Sequence, residues 1–180
     1  MAQTMRSLSA VEALLADNTS GNISPTDLRD ALIATVQPGH GEIYITTPAA
    51  TVLSDTSTWV DVAGTYTLSA NAMNWDMNTN GQLRYTGAAG RVVHIAASCS
   101  FTVAGTNDII EIEVAKNSVN LPASRVQRKV GTGSDVGSTA LHVFTTVTTN
   151  DYLTVEVRNI TAADNVTFQT LNLFVMDMAN

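Results

Sequence analysis

The chain has 180 residues, enough for one domain with a full core and a small appendage. Hydrophobic residues make up 44% and charged residues only 14%, against a usual ~25%, which excludes a disordered chain, a coiled coil and a highly charged tail. Sixteen acidic against nine basic residues give a net charge of −7, which argues against nucleic-acid binding through a bulk positive field.

Hydroxyls supply the missing polarity: 25 Thr and 19 Val stand against 4 Phe and 2 Trp, and β-branched side chains favour a half-buried pleated surface. Cys99 is the single cysteine, so neither an intrachain disulfide nor a multi-cysteine metal site can form. No segment approaches the roughly 20 apolar residues of a membrane span, and the best helical run, residues 31–36, stops at Gln37-Pro38. No membrane partner is expected. Glu12 and Asp17 interrupt what would be the apolar region of a signal peptide around Leu8, Val11, Leu14 and Leu15, so classical secretion is not expected either.

In chain order, residues 1–40 read as a helical arm. Ser9 followed by Glu12 has the form of a capping box, and Val11, Leu14 and Leu15 then recur at helical spacing. Ser24-Pro25-Thr26-Asp27 is a second helix start, with an N-cap serine, proline in the first turn and an acid at the positive end of the dipole. Two short helices bury little by themselves. The stripe Leu8, Val11, Leu14, Leu15, Leu28 and Leu32 is therefore expected to dock on another surface.

From Gly41 the period changes to 2. Residues 42–47, 58–62, 65–68, 74–77, 82–85, 91–103, 109–116, 124–129, 140–149, 152–159 and 166–178 read as strands punctuated by Gly, Asn, Asp or Pro. Many short strands without intervening helices predict an antiparallel sandwich or barrel over residues 41–180. In 91–103, Val93, Ile95, Ala97, Cys99, Phe101 and Val103 share one face, and His94, Ala96 and Ser98 lie on the other. In 140–149, His142 and Phe144 oppose Leu141 and Val143. In the last strand Phe168, Thr170, Phe174 and Met176 oppose Leu171, Leu173 and Val175. Strands uncharged on both faces need a second cover. With no helices left to supply it, copies of the same chain are the expected cover, with His94, His142, Phe144, Phe168, Phe174 and Met176 at the interface.

The sequence holds no catalytic constellation, and no cofactor or metal site is expected. Catalytic motifs of the nucleophile-elbow, zinc-helix, phosphate-loop and dinucleotide types are absent from the sequence. Asp76-Met77-Asn78-Thr79-Asn80-Gly81 matches the first half of a calcium loop, but position twelve is Gly87 where that loop needs a bidentate Glu, so a hairpin turn is expected. Glu111 and Glu113 read as the solvated face of a strand. Arg125, Arg128 and Lys129 read as a solvated edge or a contact to an acidic neighbour, and Trp59 and Trp75 as core.

A strand ending Leu83-Arg84-Tyr85-Thr86-Gly87, a short polar loop, Arg91 and a long alternating strand to Phe101 form a recognisable run. It continues through Ser124-Arg125-Val126-Gln127-Arg128-Lys129, residues 151–159 and a final Leu171-Asn172-Leu173-Phe174-Val175 strand. This set resembles tailed-bacteriophage virion proteins of jelly-roll type, and its rhythm is similar to the trimeric tumour-necrosis-factor and complement-C1q sandwiches. The resemblance implies a mainly β, antiparallel jelly-roll sandwich, a homotrimer located in the virion, and the phage major capsid protein or another virion protein as partner. It implies no catalytic residue.

Three functions follow as expectations: a capsid decoration or head-fibre protein; a receptor-binding tip whose loops 131–137 or 161–165 engage a host-surface glycan or protein; and a cellular lectin or carbohydrate-active enzyme. A fibre tip normally follows a repetitive shaft, and the chain starts at Met1 with none, which favours decoration. A lectin would expose aromatic platforms, and an enzyme would need an acid–base pair.

Overall fold

The computed structural model describes residues 38–132 and 135–178. The helical arm expected over residues 1–40, with Leu8, Val11, Leu14, Leu15, Leu28 and Leu32, lies outside the described residues except for its last three positions, and His40 already opens the first strand.

The strands are β1 His40–Pro48, β2 Ala50–Thr51, β3 Val60–Asp61, β4 Gly64–Leu68, β5 Trp75–Thr79, β6 Gln82–Tyr85, β7 Arg91–Val103, β8 Asp108–Lys116, β9 Val119–Asn120, β10 Val126–Val130, β11 Gly137–Val147, β12 Tyr152–Asn159 and β13 Val166–Asp177. They form two antiparallel sheets. The front sheet runs β11-β7-β13-β1-β4, with β2 on β13; the back sheet runs β10-β8-β12-β6-β5, with β3 on β12 and β9 on β8. Consecutive strands cross repeatedly between the sheets, which is the jelly-roll way of closing an all-β chain on one core.

Alternation fills that core from both sides. Ile43, Val93, Ile95, Phe101, Leu173 and Val175 come from the front sheet, and Leu83, Ile110, Ile112, Leu153 and Val157 from the back, all buried. Phe101 and Phe168 pack with ring centroids 5.2 Å apart, and Trp75 and Tyr85 at 5.0 Å. Cys99 is buried among them, and burial pushes its thiol up to about 12, which leaves it protonated and inert.

Local chemistry sets the boundaries. Pro122–Ser124 form a single 3-10 turn, not the start of the strand expected at 124. There the Ser124 hydroxyl donates to Leu121 O and accepts from Val114 N, satisfying a buried side chain and an orphan amide together. β11 ends at Val147, two residues before the expected end, because Asp151 accepts Thr148 N–H and Asn150 takes φ 73 in a tight turn. The turn after Asp76 is a hairpin. Gly81 has φ 80, Arg84 donates two hydrogen bonds to the Asp76 carboxylate, and Asn80 is bonded to Tyr66 N and Gly64 O.

Three expectations need correction. Phe168 is fully buried in the core and does not face outward. The β7–β13 register reads Phe168↔Phe101 and then Thr170↔Ser100, so Gln169 is an extra residue. That bulge flips the side-chain parity: Val166 and Phe168 point inward before it, Leu171 and Leu173 after it. Glu111 and Glu113 are not solvated, being 4% and 0% exposed. Trp59 is not a core residue; it is half-buried on the outside of the back sheet, with the guanidinium groups of Arg125 and Arg158 5.1 and 4.6 Å from its ring centroid.

Candidate assembly surface

Strand register builds the outer face of the front sheet as rows. Phe144 of β11 lies opposite His94 of β7, and His94 opposite Met176 of β13. The next row is His142, Ala96, Phe174 and Glu42; the one after is Ala140, Ser98, Asn172 and Tyr44. His94 sits 4.9 Å from the Phe144 ring and 5.8 Å from His142. Small side chains at Ala96, Ser98 and Ala140 leave an open depression of about 490 Å³, walled by His94, His142, Asn172 and Phe174.

The charge on these rows is nearly nil. Glu42 is the one acidic residue in them, and it accepts a hydrogen bond from Asn172 Nδ2. Phe144 is 57% exposed, and Tyr44, Val92 and Met178 add further exposed apolar surface on the same side. A Phe held open to water forfeits roughly 1.5–3 kcal/mol of burial, so an aromatic face of this kind is built to be covered.

Five of the six expected interface residues, His94, His142, Phe144, Phe174 and Met176, therefore share this face, and Phe168 does not. Tyr44 and the Ala96–Ala140 hollow escaped the sequence reading. The alternation Glu42, Tyr44, Thr46 in the first strand carried the signal for Tyr44.

The back sheet's outer face is chemically opposite. Glu113 on β8, Glu156 on β12 and Asp61 on β3 stand on one rung. Arg125 Nε donates to Glu113 at 2.7 Å, Arg158 Nε to Glu111 at 2.6 Å and Asn120 Nδ2 to Glu156 at 2.6 Å. This side is already roofed by Trp59 and its two arginines, so it is a closed polar surface and the front is an open apolar one.

Its carboxylates titrate in opposite directions. For Glu111, burial pushes the pKa up, but hydrogen bonds from Gln127 and Arg158 with the nearby positive charge outweigh it and hold the group below its ordinary range. For Glu156, burial dominates and, with Asp61 and Glu113 close by, raises the pKa against the Asn120 hydrogen bond. A raised folded pKa contributes stability in full below the unfolded carboxyl value, and that contribution is lost as pH climbs through the folded value. Glu156→Gln is accordingly expected to melt a few °C above the wild type at pH 7, with the difference closing as pH falls below about 4. Thermal unfolding followed by circular dichroism across that range checks it; a variant less stable than wild type at pH 7 would refute the assignment.

The sequence matches no family model and no curated protein. Solved structures share its architecture. A murine APRIL crystal structure aligns over 78% of this chain and 99% of its own, with TM-score 0.51 and 10% identity. The structure of Eiger TNF from S. frugiperda aligns over 80% and 94%, with TM-score 0.51 and 9% identity. The fold is a TNF-like jelly roll. At such identity the likeness carries the fold, and no individual residue of the face described above.

Proposed function

We propose that this chain is a structural protein of a tailed-bacteriophage virion, a homotrimer that binds the capsid surface as a decoration protein or head fibre. The outer face of the front sheet carries the reading. It is aromatic, almost uncharged and hollowed, and the sister subunits of a closed threefold assembly would cover it. The TNF-like fold and the sequence resemblance to virion jelly rolls support the same architecture.

The N-terminal residues supply the docking arm. The described chain begins at the end of the sandwich where β1 starts at His40 and β13 finishes, so a trimer would send three copies of the stripe Leu8, Val11, Leu14, Leu15, Leu28 and Leu32 out of one end toward the major capsid protein.

Two measurements test this. Light scattering at micromolar concentration should give three times the 19.0 kDa chain mass. A chain lacking residues 1–37 should remain trimeric yet fail to co-sediment with capsids that bind the full chain. Unchanged co-sedimentation would remove the docking arm, and binding of both forms to host cells but not to capsids would favour the receptor-binding alternative.

A further inference from the structure

At the end of the sandwich opposite His40, Asp108 opens β8 and Asp164 lies in the loop before β13. Asp108 is 2% exposed, and its Oδ2 is sealed from solvent without a hydrogen-bond partner. A β-carbon placed on Gly105 would lie 2.1 Å from Asp164 Oδ2 and 2.4 Å from Asp108 Oδ2. The two carboxylate oxygens thus face each other over the bare glycine backbone, no farther apart than the sum of those distances.

Two like charges this close, one of them buried and unpartnered, oppose each other and pay desolvation as well. Elsewhere in the fold the buried acids have been given at least one partner: Glu111 has Arg158 and Gln127, Glu113 has Arg125 on Oε2 although its Oε1 is unpartnered, and Asp177 has Trp75 Nε1 and a position beside His40 and Arg91. No arginine, lysine or histidine hydrogen-bonds or ion-pairs with Asp108 or Asp164 among the described residues.

From this geometry we infer that Asp108 and Asp164 bind a divalent metal cation, with calcium the best fit. The pair offers hard oxygen donors, which suit calcium or magnesium and not the thiophilic metals. A site on two irregular loops can meet calcium's variable geometry more easily than magnesium's strict octahedron. Two carboxylates supplemented by loop oxygens and water place the affinity in the range of about 10⁻⁴–10⁻³ M. Gly105 is part of the site because any side chain there would displace the oxygens. Binding would tie the β7–β8 loop to the β12–β13 loop, at the end farthest from the arm.

The test uses the full chain after EDTA treatment and dialysis. Calorimetric titration with CaCl₂ at constant ionic strength should show one ion per chain, with a Tm rise of several degrees at 10 mM CaCl₂ and a smaller one with MgCl₂. Asp164→Asn and Asp108→Asn should each weaken calcium binding at least tenfold. Asp76→Asn, which removes the acid of the partial calcium loop, should leave binding unchanged. If Asp108→Asn does not fold, Asp164→Asn alone decides. Wild type that neither binds calcium nor gains stability overturns the inference. So does an Asp164→Asn variant that binds as well as wild type, or one that is more stable than wild type with no calcium response in either.

Discussion

Phe144→Asp is expected to convert the proposed trimer to monomers at micromolar concentration. In the assembled state three carboxylates would be carried into the apolar interface, beside the His94 and His142 rings and with no arginine or lysine on the neighbouring rows. Each desolvated, unpaired charge costs several kcal/mol, so even a part of that penalty weakens association by at least about 100-fold. The monomer should keep its fold, because Phe144 is 57% exposed and contributes little to the core. Light scattering reads the mass and circular dichroism the fold. A matching charge at Val119, which is 66% exposed on the far side of the sandwich, should leave the trimer intact. If Phe144→Asp remains trimeric, the front sheet is not the contact surface.

Phe168→Ala is expected to do the reverse, damaging the fold first and assembly only as a consequence. The ring is fully buried against Phe101, and Phe to Ala in a packed core costs about 3–5 kcal/mol, a large share of the 5–15 kcal/mol that typically holds a domain together. Urea unfolding of wild type and variant under conditions where both are monomeric, in the Phe144→Asp background, isolates the core term. A loss below about 1 kcal/mol would put Phe168 back on the surface, where period-2 counting places it.

That contrast shows what the sequence could and could not tell. β7 was legible to the residue at Arg91–Val103, as were β6 and β12, because long unbroken alternation leaves one register. Phe168 was misread for the same reason. Alternation counted backward from Val175 carries its parity through Gln169, and nothing local announces the bulge. β2 and β9, two residues each, exist only because a neighbouring strand offers them a ladder. Glu111 and Glu113 looked solvated since an acid at an outward position is usually wet, and what dries them comes from Trp59, Arg125 and Arg158, distant in sequence. The facing of Asp108 and Asp164 across Gly105 is equally a product of tertiary folding. His94, His142 and Phe144 were legible because β7 and β11 pair without interruption, and Phe174 and Met176 because they follow the bulge, where the β13 register is regular again.

The pairing of β1 with β13, in which Asp177 N donates to Gly39 O and His40 stands opposite Met176, has a mechanical consequence. A load applied between residues 38 and 178 would unzip that ladder one hydrogen bond at a time, starting from its exposed end. A load carried through residue 38 alone, with the sandwich held by its neighbours, would pull β1 lengthwise against both β13 and β4 and strain all their hydrogen bonds together. A particle tethered by its N-terminal arm would be loaded in the second way, so the fold is strong along the one direction in which such an attachment pulls.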